Sequence, residues 1–263
     1  MAETESKLKS GSLDFKISYK NSNYSPFPFD QDKFKKIPFE ILDGKQELQW
    51  ILKSEYQELA SHTFSHYYAL EKGQTKSEFE KDCQLMNGLA KELNHEFKSI
   101  VFPRNQIDLD YLAICANNGL KTYRGNQKSK SWTNSEFNSE GIYKKANRFG
   151  DAYFKVEETK SHPIEDLEKV SGLLNIPANR FLRPVGSKKW LEKRKIKRIK
   201  NEMTKAAKAE TVYHLWWHPH NFSQKTEEAF EQLESLIEHF KILQKEYGFE
   251  SLNMSEIEER SSK

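Results

Sequence analysis

A chain of 263 residues can bury one sizeable core, and single barrels of this size are ordinary. The formal net charge is only +3 with 31% charged residues, so the total points neither to a nucleic-acid footprint nor to a trap for acidic substrates. No apolar run approaches the ~20 residues that a membrane span needs. Residues 1–7 lack an apolar signal region, so a cytoplasmic chain with no membrane span is expected.

Residues 1–40 read as an irregular N-terminal segment ahead of a domain over 41–263. Residues 13–18 suit a short strand. Tyr24, Phe27, Phe29, Phe34 and Phe39 follow no clear period and suit a wrapped loop. Residues 47–59 mix helix and strand signals. From residue 75 the pattern is clean. Thr75 and Glu78 make a capping box. Phe79, Cys83, Met86, Ala90 and Leu93 then recur at spacings of four and three, which predicts a helix with one buried stripe. Cys83 and Cys115 read as small buried hydrophobes rather than as a disulfide or a nucleophile. Residues 97–102 read as a buried strand stopped by Pro103. Asp108 caps the next helix, Gly119 closes it, and residue 120 opens another strand. Strand–helix alternation of this kind argues for an α/β fold with parallel strands.

Residues 126–141 are rich in Asn, Ser and Lys and read as a loop; residues 142–160 read as a short helix followed by extended chain. Residues 188–210 spell a basic amphipathic helix with Ile196, Ile199, Met203 and Ala206 inward. Its basic side reads as a solvated face, so no nucleic-acid partner is expected. Residues 211–217 read as an apolar, aromatic strand. Residues 227–247 read as a last helix with Phe230, Leu233, Ile237 and Phe240 inward.

The chemistry centres on His62 and His66. Four residues apart, they are expected to share one face of a helical turn and to point both imidazoles at one ion. Residues 58–60 read as the end of a short buried strand, which puts His62 at a strand's C-terminal edge, where barrel-type α/β enzymes build their sites. Pro103 likewise leaves Arg104 at a strand end. The bland alternatives are core or surface histidines at 62 and 66, a structural ion pair at Arg104, and aromatic packing with satisfied ring nitrogens at His214, His218 and His220.

Four segments stand in order: HTFSH (62–66), FPRNQ (102–106), NIPANRFLRP (175–184) and HLWWHPHNF (214–222). Together they resemble polysaccharide deacetylases with a NodB-homology domain, carbohydrate esterase family four. The branch most similar is associated with O-antigen and other surface-polysaccharide clusters. The resemblance spans residues 50–257. It implies a deformed (β/α)7 barrel and a metal-dependent hydrolase acting on a carbon–nitrogen bond. The expected reaction removes N-acetyl groups from an acetylated amino sugar of a surface polysaccharide or its precursor. It also implies His62 and His66 as ligands of a divalent metal, zinc or cobalt, with an aspartate of the first strand as third ligand. A neighbouring carboxylate would act as general base, and Arg104 would hold and tune it. His218 would be the general acid, with His220 the next choice. Trp216 and Trp217 would line a sugar-stacking groove, or one of them would be core.

The chain departs from the family at its first motif. The nearest aspartate is Asp14, and Lys16 stands where the closest branch places Glu. Asp30 and Asp32 lie in a loop-like context. The stretch before His62 is also short for the early strands and helices of that branch. Either the first strand–helix units are lacking, or Asp14 serves within a shortened barrel. The alternative function is a degenerate, non-catalytic deacetylase-like protein that binds carbohydrate or a partner.

Overall fold

A computed structural model describes residues 15–26, 44–127, 142–154 and 161–262. These residues form a mixed α/β architecture with seven α-helices and a small mixed sheet, and no closed barrel is formed among them. None of the described helices is long and apolar enough to cross a membrane. The chain divides into two compact units. The first comprises Met1–Arg124, Glu168–Asn175 and Leu252–Lys263; the second comprises Gly125–Leu167 and Ile176–Ser251.

The first unit opens on residues 15–19, extended chain in which Phe15, Ile17 and Tyr19 are buried and Lys16 and Ser18 exposed. Helix α1 (Lys45–Lys53) resolves the mixed signals of 47–59. Helix α2 (Lys76–Glu92) begins with the expected capping box: the Thr75 side chain accepts from the Glu78 amide while the Glu78 carboxylate accepts from the Thr75 amide. It buries Phe79, Cys83, Met86 and Ala90, and also Asp82. Strand β1 (Ser99–Ile100) follows, then α3 (Leu109–Asn117), capped by Asp108 and stopped by Gly119 at φ 91°. Strand β2 (Thr122–Gly125) pairs parallel to β1, and Ser61 bridges in parallel to Ile100.

Helix α4 (Ile142–Tyr153) belongs to the second unit. Strand β3 (Lys169–Val170) turns back on β4 (Leu173–Pro177) through Ser171 and Gly172, at φ 50° and 89°. Positive φ at both central residues matches the right-handed twist of a two-residue hairpin. The sheet order is β1–β2–β4–β3. The first unit's core packs Phe79 against Tyr111 and Phe102 as stacked rings, beside Tyr67, Leu112 and Leu173.

In the second unit β5 (Arg180–Phe181) pairs parallel to β6 (Leu215–Trp216), which is all that the expected strand over 211–217 contributes apart from a bridge from Val212 to His162. Helix α5 (Lys189–Lys208) buries Ile199, Met203 and Ala206 as expected, but its inner face also takes in Glu192 and Lys195. Helix α6 (Thr226–Tyr247) presents a different stripe from the expected one: Ala229, Leu236 and Leu243 are buried, whereas Phe230 and Ile237 are exposed. A strict seven-residue spacing holds the inward row, and the small Ala229 gives no signal in a search for large apolar residues. The last helix, α7 (Met254–Ser261), returns to the first unit. Its first turn is tied down where the Ser255 amide donates to the Glu58 carboxylate.

Candidate functional site

His62 and His66 lie in a loop, not in the helical turn that their spacing suggested. Thr63 and His66 take φ of 65° and 56°, left-handed values that no α-helix contains and that cost a β-branched residue most. Local polar side chains take the amides that a helix would use. The Thr63 amide donates to Ser61 Oγ (3.0 Å) and the Tyr67 amide to Thr63 Oγ1 (2.7 Å). The middle of the loop is held from α2, where Asp82 accepts from the amides of Phe64 (2.8 Å) and Ser65 (3.0 Å) and from the Ser65 hydroxyl. Burial pushes the Asp82 carboxyl up to about 6, against the lowering effect of those three bonds. Further along, the Tyr68 amide donates to the Tyr19 hydroxyl and the Leu70 amide to Gln106 Oε1.

The loop still brings the histidines together, with ring centroids 4.9 Å apart and planes at 71°. His62 Nδ1 lies 2.6 Å from the Val101 carbonyl oxygen. A carbonyl can only accept, so Nδ1 carries the proton and the neutral ring presents a bare lone pair at Nε2, the arrangement of a metal ligand. Desolvation lowers the His62 pKa, and the Arg124 charge lowers it further, while the bond to Val101 opposes both. Two imidazoles at this separation suit half of a zinc or cobalt site, provided both ring nitrogens that face the ion are unprotonated. Among the described residues no group of three or more His, Cys, Asp and Glu side chains gathers to hold an ion. Asp14 lies outside the described residues, as do Asp30 and Asp32.

Arg104 follows β1, in a short turn where it and Asn105 both adopt left-handed φ, 54° and 55°. Its guanidinium lies over the Tyr68 ring, 5.1 Å from the centroid, and the same ring meets His66 edge-on at 5.2 Å. Arg104, Tyr68, His66 and His62 therefore form one continuous row. Arg124, on β2, donates from Nη2 to Asn105 Oδ1 at 2.6 Å and so braces the Arg104 turn. Desolvation pulls its pKa down to about 10. Gln106 ties the two motifs together: besides accepting from Leu70, its Nε2 donates to Glu71 at 2.8 Å. Ser61, β1 and β2 run parallel, and His62, Arg104 and Arg124 all come at their C-terminal side.

His218 belongs to the second unit, exposed just past β6 at the start of the turn Pro219–Phe222. Its ring meets Trp216 edge-on at 5.4 Å and stacks on His220 at 4.9 Å and 10°. Neither Trp216 nor Trp217 is buried; Trp216 instead packs on Phe181 at 4.4 Å. Asn221, which is buried, donates to the Leu182 carbonyl and closes the turn.

Sequence reasoning missed a buried ionic cluster in the second unit. Arg180 and Arg198 each bond both Asp151 and Glu202, at 2.6 to 3.0 Å. The Tyr213 hydroxyl donates to Glu202. Burial would raise the Glu202 pKa, but Arg180 first, then Arg198 and Tyr213, hold it below its ordinary value. Charges on α4, β5 and α5 are far apart in sequence, so only the fold reveals the pairing. Asp82 had a legible signal, an acid within the apolar stripe of α2.

No family model matches the chain, and no curated protein matches it.

Proposed function

We propose that the chain is a metal-dependent hydrolase that removes N-acetyl groups from an acetylated amino sugar of a surface polysaccharide or its precursor. The observation that carries this reading is the His62–His66 pair, 4.9 Å apart with the His62 tautomer set by Val101, at the C-terminal side of parallel strands. The parallel run of Ser61, β1 and β2 also supports the finer fold reading, a deformed (β/α)7 barrel of the deacetylase type.

In this reading His62 and His66 would hold zinc or cobalt through ring nitrogens, and a carboxylate would complete the ligand set. Asp14 is the candidate from the sequence. When bound, such an ion would supply a water of lowered pKa and would polarise the amide carbonyl. Arg104 steadies the carboxylate that takes the water's proton, through a charge-assisted hydrogen bond. Water adds to the acetyl carbon, the carbon–nitrogen bond breaks, and acetate and a free amine leave. The proton for that amine is assigned to His218 from its motif alone.

The test is acetate release from N-acetylated amino-sugar oligomers by the full chain loaded with zinc or cobalt. Release that disappears in a His62→Ala, His66→Ala double variant supports the reading. Release unaffected by that change, or glycan binding with no release under any metal, overturns it.

A further inference from the structure

We propose that Asp82 is a positioning residue for the histidine pair: its carboxylate sets the loop that brings His62 and His66 together. The inference rests on the pair being the metal-binding half-site proposed above. Asp82 is fully buried on the stripe of α2 that otherwise carries Phe79, Cys83, Met86 and Ala90. Helix packing alone asks for a hydrophobe there, and a buried carboxylate without donors is strongly unfavourable. All three donors to Asp82 are the Phe64 amide, the Ser65 amide and the Ser65 hydroxyl. Those two residues lie between the histidines in the chain.

The other supports of the loop act elsewhere. Ser61 and Thr63 hold its start and its amide at Tyr67, while Tyr19 and Gln106 hold Tyr68 and Leu70. Asp82 grips the middle, where left-handed residues at 63 and 66 flank the two amides. Two adjacent amides converging on one anion fix the path of the chain from His62 to His66, and with it the separation of the two rings. Removing the anion would take that acceptor from the buried Ser65 amide and the half-buried Phe64 amide and free the segment to relax.

The experiment uses the full chain with zinc alone as probe, comparing wild type, Asp82→Asn and Ser65→Ala at pH 7. The isosteric Asn turns an NH2 group toward one of the two amide donors, whereas Ser65→Ala removes one of three bonds. Calorimetric titration should show zinc affinity reduced by about 10- to 100-fold in Asp82→Asn and by less in Ser65→Ala. In the metal-free protein the imidazole nitrogen resonances of His62 and His66 should move in the same order, with circular dichroism confirming a folded chain. A folded variant that melts earlier yet keeps wild-type zinc affinity and unmoved resonances overturns the inference, because Asp82 would then be structural only. If Asp82→Asn does not fold, Ser65→Ala decides by the same two readouts. Wild type without zinc affinity would sink the metal reading, and the metal-free resonances would still judge Asp82.

Discussion

Replacing Arg180 by Met tests how the second unit holds its buried charges. Arg180 is 6% exposed, and its hydrogen bonds among the described residues include those to the Asp151 carbonyl (3.1 Å), Asp151 Oδ2 (2.6 Å), Glu202 Oε1 (2.6 Å) and Glu202 Oε2 (3.0 Å). Methionine fills much of the volume but donates nothing. Both acids then lose the Arg180 guanidinium and keep Arg198. Charge-assisted bonds are worth about 1.5–3 kcal/mol each, but they are not additive when a second arginine already bridges the same acids. Breaking a buried pair costs about 3–5 kcal/mol, and that is the expected loss. The double variant Arg180→Met, Glu202→Met removes one charge of each sign and should cost less than the sum of the singles by about 2–3 kcal/mol. Urea denaturation is the suitable assay, because guanidinium salts would screen the charges. A loss below 1 kcal/mol in the single variant, or strict additivity in the double, would show that the cluster's desolvation cost cancels its pairing and refute the reasoning.

Asp82 should titrate near pH 6 by carboxyl carbon NMR. Because its folded pKa lies above the ordinary 3.8, the stability it contributes is fully present below 3.8 and lost as pH rises through 6, about 3 kcal/mol in all. Titration near 3.8 would contradict the burial argument. Glu202 has the opposite sign: its folded pKa is depressed, so its contribution is present above its ordinary 4.5 and lost as pH falls through the folded value. The acid limb of the unfolding curve should weaken in Arg180→Met relative to wild type. Gly73→Ala should destabilise by about 2 kcal/mol or more, read as a fall in melting temperature. Gly73 sits at φ 100°, and a Cβ there meets the Ser18 carbonyl and the Lys20 amide. Gln106→Leu should cost about 2 kcal/mol, because the Leu70 amide loses its acceptor and Glu71 a donor. An unchanged melting temperature in either variant would show that the contact contributes nothing.

Local signals in the sequence located α2 and α3 well. The Thr75–Glu78 box, the Asp108 cap and Gly119 act within one turn of chain, so residue type and spacing determine them. The same kind of signal stood unread at α7, where Asn253 and Glu256 form a second box in a segment with only a weak apolar period. It misled at α6, because Leu236 and Ile237 are adjacent and either can start an inward row. The expected position of His62 at the edge of a strand was legible because Ser61 does bridge in parallel to Ile100. The loop conformation was not. Spacing of four is equally compatible with a helix, and what decides against it is an aspartate on α2 that takes two of the loop's amides.

That substitution of partners bears on the chemistry itself. In an α-helix the backbone between two residues four apart is bonded to itself, and the relative pose of the two side chains follows from helix geometry alone. In the loop the amides are bonded to Ser61, Thr63, Asp82, Tyr19 and Gln106, so ring separation and angle depend on side chains drawn from several elements. Gln106 follows Arg104 and Asn105 in one turn, and Arg124 braces that turn through Asn105. Displacing the turn would therefore disturb the Arg104–Tyr68 stack and the Gln106 bond to the loop together. Positioning of the histidines and of Arg104 is thus a single mechanical problem, and a change at Gln106 should disturb both the histidine resonances and the Arg104–Tyr68 contact, whereas a change at Asp82 should disturb chiefly the histidines.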